Sequence, residues 1–162
     1  MFLFSRRATL GLILATAAIT IISLSAQAGD PLTGIWDLNL AKSTFSGNVP
    51  APKSQTRTYE ATGQQDKMTG EIIYADGNRV TFQYTANLDG KDYPFEGWAM
   101  ADTISLTPVD TLTATYTQKK EGKVVGGGTR VISKDGKTMT ISFKGTDLKG
   151  QPVEFILVFD KR

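Results

Sequence analysis

The chain has 162 residues, of which 40% are hydrophobic, and its 18 basic and 16 acidic side chains give a formal net charge of +2. It contains no histidine and no cysteine. The absence of both excludes Ser-His-Asp and Cys-His nucleophile arrangements, disulfides, and the usual zinc and haem ligands. Carboxylates, Lys, Tyr, Ser and Thr remain for chemistry, so the sequence favours a protein that is not an enzyme and uses no cofactor.

The first 28 residues have the pattern of a secretory signal peptide. Arg6 and Arg7 precede an apolar run from Leu10 to Leu24, and Ala26-Gln27-Ala28 is a small-x-small cleavage site. The apolar run is shorter than the roughly 20 residues that a membrane span needs. We therefore predict cleavage after Ala28 and a single periplasmic or secreted domain over residues 29–162, with both the general secretory and the twin-arginine routes open.

The predicted mature domain is electrically neutral. Cleavage removes Arg6 and Arg7 and leaves 16 basic and 16 acidic side chains. A neutral domain offers no electrostatic attraction to nucleic acid or to an anionic membrane. We expect no nucleic-acid partner, no membrane span in the mature chain, and a monomer.

Beyond residue 28, apolar and polar residues alternate with a period of two, which is typical of strands that bury one face. The first run places Leu32, Gly34, Trp36, Leu38 and Leu40 on one face. The opposite faces of the later runs are rich in Thr, which predicts antiparallel sheet with nine or ten strands and little helix. The alternating runs cover residues 32–40, 54–61, 68–74, 80–85, 103–107, 111–117, 124–132, 138–143 and 153–159.

The connections between these runs predict a meander of short hairpins. The segments ADGN, LDGK, KEGK, KDGK and LKG each place Gly beside a charged residue, where Gly supplies the positive φ of a tight turn. A long meander must protect its edges, and the simplest way is closure into an up-and-down barrel of 8–10 strands. The segment NVPAPKS lacks alternation, and we interpret it as an extended arm or a lid across one end.

Two levels of resemblance agree with a barrel. Gly34-x-Trp36 at the start of the first strand resembles the N-terminal motif of the lipocalins and the wider calycin group. The segments GIWDLNLAKSTFS, APKSQTRTYEATG, YTANLDGKDYPFEG and SKDGKTMTISFKGTDLKGQPV resemble a family of small secreted bacterial proteins of unassigned function. The resemblance implies that Trp36 plugs the closed end of the barrel and that a basic residue of the last strand, Lys161 or Arg162, packs on it.

The alternation also places polar side chains on the inner face, where they are candidates for a ligand site. An inward Arg with inward Tyr residues suits a small acid, because guanidinium binds carboxylate in a bidentate manner and hydroxyls orient it. The glycine run in VVGGGTR predicts a bulge or close backbone crossing that aims Arg130. The segment NLDGKDYPFEGW lacks the spacing of a calcium loop, so we expect no metal site. The candidate ligand-binding residues are Arg57, Tyr59, Tyr74, Phe82, Tyr84, Tyr116 and Arg130.

Three functions remain open at this point. The first is binding of a small, mostly apolar ligand inside the barrel, with an acid as one case. The second is a non-catalytic interaction or envelope module whose barrel is packed solid, and the third is a weak enzyme that uses Arg, Tyr and Glu. Interior volume discriminates the first two, because side chains alone can fill an eight-stranded barrel whereas ten strands leave space.

Overall fold

The computed structural model describes residues 29–46 and 49–162, so the predicted signal peptide lies outside the described residues. Eleven strands form a single sheet, and no helix in the described part is long and apolar enough to cross a membrane. One 3₁₀ helix, Leu40–Lys42, separates the first two strands. The strands are β1 (Gly34–Leu38), β2 (Thr44–Ser46), β3 (Ser54–Ala61), β4 (Gln65–Ile73), β5 (Arg79–Asn87), β6 (Tyr93–Glu96), β7 (Thr103–Pro108), β8 (Thr113–Lys120), β9 (Lys123–Ile132), β10 (Thr138–Thr146) and β11 (Pro152–Lys161).

The sheet is an antiparallel meander that closes on itself. From β3 to β11, each strand pairs with the next along the chain, and β1 pairs with both β3 and β11. Strand β2 pairs with the first half of β11, while β1 pairs with the second half, so β1 and β2 together form one side of a ten-stranded barrel. This confirms the predicted fold class of a single antiparallel up-and-down barrel with 8–10 strands.

The break between β1 and β2 corrects one predicted inward residue. Leu40 lies in the 3₁₀ helix and is 40% exposed, although its parity with Trp36 placed it on the inner face. Asn39 caps the helix by accepting a hydrogen bond from the Lys42 backbone N–H at 3.2 Å. Because the strand ends at Leu38, the alternation no longer dictates which way the following side chains point.

Trp36 lies toward the end of the barrel where β1 begins, which we call the lower end, and its role as a plug stays a prediction. Its indole is completely buried, and Nε1 donates a hydrogen bond to the Leu32 carbonyl at 2.8 Å. Lys161 Nζ lies 5.0 Å from the centre of the indole ring and also donates to the Pro31 carbonyl at 2.9 Å. Gly34, at φ +138°, allows this approach, because a Cβ there would lie 2.7 Å from Lys161 Cε.

Arg162, the other basic residue considered for this role, lies elsewhere. Its Nε and Nη2 donate to the Asp37 carboxylate at 2.9 and 2.8 Å on the outer surface. Its backbone N–H donates to the Ile35 carbonyl, so hydrogen bonding to β1 continues one residue beyond the end of β11. The cation over Trp36 is therefore Lys161, because strand alternation turns Lys161 inward and its neighbour Arg162 outward.

The glycine run of β9 makes a close backbone crossing. A Cβ on Gly127 would collide with the Tyr116 carbonyl oxygen, and one on Gly128 with the Ser142 carbonyl oxygen. The pairing of β8 with β9 shifts at the start of this run: Gln118 pairs with Gly126 and Lys119 with Val124, so Val125 is an extra residue of β9. Both predicted features, a bulge and a close crossing, are therefore present at this pair of strands.

Candidate ligand-binding site

The barrel encloses a cavity of about 80 Å³, counted as the space open to the centre of a water molecule. One water needs roughly 10–15 Å³ on this measure, so the cavity has room for on the order of six. We call it the upper cavity, because it opens toward the end opposite Trp36. There Val49, Pro50 and Pro52 lie against it, as the interpretation of NVPAPKS as an arm or lid requires.

All seven candidate ligand-binding residues line this one cavity: Arg57, Tyr59, Tyr74, Phe82, Tyr84, Tyr116 and Arg130. They come from strands β3, β5, β8 and β9 and from the turn after β4, and only closure of the barrel brings them together. The structure thus places them in one site. Their role in binding a ligand stays a prediction.

Arg57 is held in the middle of the barrel by an aromatic pair. Its guanidinium carbon lies 5.4 Å from the centre of the Phe82 ring and 5.2 Å from that of Phe159, both within the range of cation–π attraction. Gly70 faces both Arg57 and Phe82 across the strands, and a Cβ there would collide with the Phe82 ring. The missing side chain of Gly70 therefore makes room for the ring that supports the guanidinium.

Gln55 binds one edge of the same guanidinium. With its amide oxygen turned toward Arg57, an orientation assigned from this contact, it accepts from Nε at 3.0 Å and from Nη2 at 3.1 Å. A guanidinium has five N–H donors, and this contact uses two. None of the seven ion pairs among residues 29–46 and 49–162 includes Arg57. The cation therefore has hydrogen-bonding capacity left and forms no ion pair with a carboxylate of the described chain.

Arg130, by contrast, has a carboxylate partner. Its Nη1 lies 2.7 Å from Asp66 Oδ2, and the two side chains are only 10% and 2% exposed. Asp66 stands between Ala61 and Ala86 on the neighbouring strands, and these small side chains leave room for the pair. Burial would lower the pKa of Arg130, but neighbouring Tyr84, Tyr59 and Asp66 raise it above its usual value, so this guanidinium stays charged.

The charges around the upper cavity do not cancel. Two guanidiniums, Arg57 and Arg130, line it, and the one carboxylate paired with them is Asp66; no Asp or Glu side chain lines the cavity itself. The sum of these three charges is +1 in a largely apolar space, where a charge is costly to bury alone. The upper cavity is therefore suited to an anion.

Tyr74, Tyr84 and Tyr116 supply neutral hydroxyls. Burial raises the pKa of Tyr84 well above its usual value, and also raises those of Tyr116 and Tyr74. Tyr116 donates its hydroxyl hydrogen to the Ser142 carbonyl at 2.7 Å. Ser142 lies between Ile141 and Lys144, in the part of β10 that has no residue pairs with β9. Tyrosines that stay protonated suit hydrogen bonding to a ligand and not proton abstraction at neutral pH.

Sequence reasoning missed three inner residues and left a fourth undecided, although the alternation contained all of them. Gln55 shares the parity of Arg57, and Gln118 that of Tyr116. Asp66 shares the parity of Met68, and all three are buried. Lys161, named only as one of two possibilities, shares the parity of Phe159. In each case a polar residue extended an apolar face, which is the signal of an inward polar group.

No group of three or more acidic side chains in the described part of the chain is placed to hold a metal ion.

No protein-family model and no curated protein sequence matches the chain. Among solved structures, zebrafish ileal bile acid-binding protein complexed with cholic acid is similar over 82% of this chain and 99% of that chain, at 12% identity and a TM-score of 0.49. Apocrustacyanin C2 is similar over 82% of this chain and 62% of that one, at 15% identity and a TM-score of 0.44. Neither similarity identifies what this chain binds, so the ligand must be inferred from its own residues.

Proposed function

We propose that this protein is exported by its N-terminal segment and, as a periplasmic or secreted monomer, binds a small, mostly apolar molecule with one anionic group. The ligand lies in the upper cavity, with its acid on Arg57 and its apolar part against Phe82, Ile104 and Leu157, which also line the space. The observation that carries the proposal is the inward Arg57 guanidinium, which has no carboxylate partner in the described chain.

An anion can accept hydrogen bonds from the N–H groups of Arg57 that Gln55 does not use. Gln55 occupies the edge formed by Nε and Nη2, and the remaining N–H groups are those of Nη1 and the second hydrogen of Nη2. Charge-assisted hydrogen bonds to a carboxylate are about twice as strong as neutral ones. The +1 sum of Arg57, Arg130 and Asp66 selects an acid over an alcohol or amide of the same shape.

The shape of the cavity limits the ligand. About 80 Å³ accommodates a short chain or a single ring without rearrangement. A longer ligand requires displacement of the arm at Val49, Pro50 and Pro52, which covers the upper end. The open space in the barrel disfavours a solidly packed interaction module, and the protonated tyrosines disfavour an enzyme that uses them as bases.

The test measures binding of octanoate and of its neutral analogue octanol by calorimetry and by fluorescence of Trp98, which lines the cavity. We expect octanoate to bind at least tenfold more tightly than octanol, and Arg57→Gln to remove the difference, because hydrogen bonds to charged groups contribute about 1.5–3 kcal/mol. Arg79→Gln is the matched control, since Arg79 is an exposed residue paired with Glu71 on the outer surface. Equal affinity for acid and alcohol, or an unchanged preference in Arg57→Gln, would overturn the proposal.

Two further measurements address the physiological ligand and export. Native mass spectrometry of protein taken from its own host should show a bound small molecule of defined mass. A clean apo mass, together with no response to octanoate, would count against binding. N-terminal sequencing of the exported protein should begin at Gly29; a chain that retains Met1 would contradict cleavage.

A further inference from the structure

Gln118 is a buried amide in the wall of the upper cavity. It lies on the inner face of β8, near the end of that strand, and is only 9% exposed. Its side chain has two N–H donors and a carbonyl acceptor. Within residues 29–46 and 49–162 the amide makes no hydrogen bond, and protein atoms do not seal it from the cavity. Buried amides normally have partners, so this one indicates a polar group on the ligand.

The surroundings of Gln118 explain why the described part of the chain supplies no partner. Across the sheet it pairs with Ile104 of β7 and Gly126 of β9, and neither has a polar side chain. A Cβ on Gly126 would collide with the Phe143 ring, so this side of the amide is aromatic. Tyr116, two residues earlier on the same face, already donates its hydroxyl hydrogen to a backbone carbonyl. A leucine would bury itself here at lower cost than an amide does, unless the amide binds something.

Gln118 lies closer to the upper end of the barrel than Arg57. Burial raises the pKa of the Tyr116 hydroxyl and the Arg57 guanidinium acts against that shift, so Tyr116 and Arg57 lie near each other. Strand β8 runs toward the upper end, and a strand rises about 3.3 Å per residue, which puts Gln118 about 7 Å beyond Tyr116. A ligand that has its acid on Arg57 and its chain directed toward the opening therefore passes Gln118 at a point well separated from the acid.

We propose that the ligand is a hydroxy acid whose hydroxyl, at the end of the chain far from the acid, bonds the Gln118 amide. This inference rests on the proposed function, because it takes the acid to lie on Arg57. A hydroxyl can donate to the amide carbonyl or accept from its N–H groups, whereas an alkyl chain leaves both without a partner. A second carboxylate could not donate to the carbonyl, and an ammonium group would be repelled by the +1 sum of Arg57, Arg130 and Asp66.

The test compares three acids by calorimetry: octanoate, 8-hydroxyoctanoate and 2-hydroxyoctanoate. We expect 8-hydroxyoctanoate to bind about three- to tenfold more tightly than octanoate, as for one added neutral hydrogen bond. In Gln118→Leu the order should reverse, because the hydroxyl is then buried without a partner. The hydroxyl of 2-hydroxyoctanoate lies beside the acid, so its affinity relative to octanoate should be the same in both proteins.

Gln83→Leu is the matched control. Gln83 lies on the outer face of β5, where its Nε2 donates to Glu96 at 2.8 Å, and the variant should leave all three affinities unchanged. If 8-hydroxyoctanoate binds no more tightly than octanoate to the unaltered protein, the inference is overturned, even if Gln118→Leu fails to fold. The same preference in Gln118→Leu as in the unaltered protein also overturns it.

The comparison of octanoate with octanol separates this inference from the proposed function. A protein that prefers octanoate to octanol but shows no gain from the distant hydroxyl keeps the acid site on Arg57 and loses the role of Gln118. A protein that binds none of the acids more tightly than octanol loses the proposed function itself.

Discussion

The buried pair of Arg130 and Asp66 allows a quantitative test of how this barrel tolerates internal charge. At the observed 2.7 Å and an effective dielectric constant of about 20, the attraction is about 6 kcal/mol. Removing two ions from water costs several kcal/mol each, so the pair as a whole contributes little net stability. Removing one partner is different, because the other then stays buried and uncompensated.

We therefore expect Asp66→Leu and Arg130→Met each to lower the free energy of unfolding by about 3–5 kcal/mol. The double variant should lose no more than either single variant, which gives a coupling of at least about 3 kcal/mol. Urea unfolding followed by far-UV circular dichroism measures all four proteins, and an unchanged m-value shows that the same surface unfolds in each.

The exposed pair of Lys67 and Glu60 is the matched control cycle. Its N–O distance of 3.0 Å is similar, but the two side chains are 52% and 67% exposed. We expect a coupling of about 0.2–1 kcal/mol there. Additive losses at Asp66 and Arg130, or single losses as small as those of the surface pair, would refute the reasoning that desolvation dominates inside the barrel.

Three further outcomes follow from particular contacts. Trp36→Ala should lower the free energy of unfolding by about 3–5 kcal/mol, because the indole is fully buried, and a near-neutral result in urea would contradict the plug. Gly70→Ala should lower the free energy of unfolding by about 1–3 kcal/mol and weaken octanoate binding, because the added Cβ displaces the Phe82 ring. Gly29→Ala is the control, since a Cβ at Gly29 would have no atom within 4 Å. The hydrogen bond from Arg162 lowers the pKa of Asp37, although burial acts in the opposite direction. The ionised Asp37 therefore stabilises the fold above about pH 4, and this stabilisation should be lost as the pH falls through the folded-state pKa. The difference in free energy of unfolding between the native protein and Asp37→Asn, measured in urea, should therefore shrink from pH 7 to pH 3. A difference that grows in acid would contradict the lowered pKa.

The alternation of side chains determined most of the fold, because it is a local property. A strand in a half-buried sheet must alternate, and a turn with positive φ favours Gly, so runs and connections are visible without any knowledge of partners. The same parity placed Arg57, Tyr84 and Arg130 on the inner face, and the structure shows all three lining one cavity. The alternation breaks down where a strand ends, as at Leu40, because a residue outside the sheet no longer follows the period of two.

Closure of the barrel decided what the sequence left open. The pairing of β1 with β11 brings Lys161 over Trp36 and joins Arg162 to Asp37, and these contacts link residues at opposite ends of the chain. Asp66 and Arg130 likewise come from strands that are not neighbours in the sheet. Parity shows that each charged side chain points inward but not which one meets a counter-charge. That depends on distances across the barrel, and these alone leave Arg57 without a carboxylate and give Arg130 one.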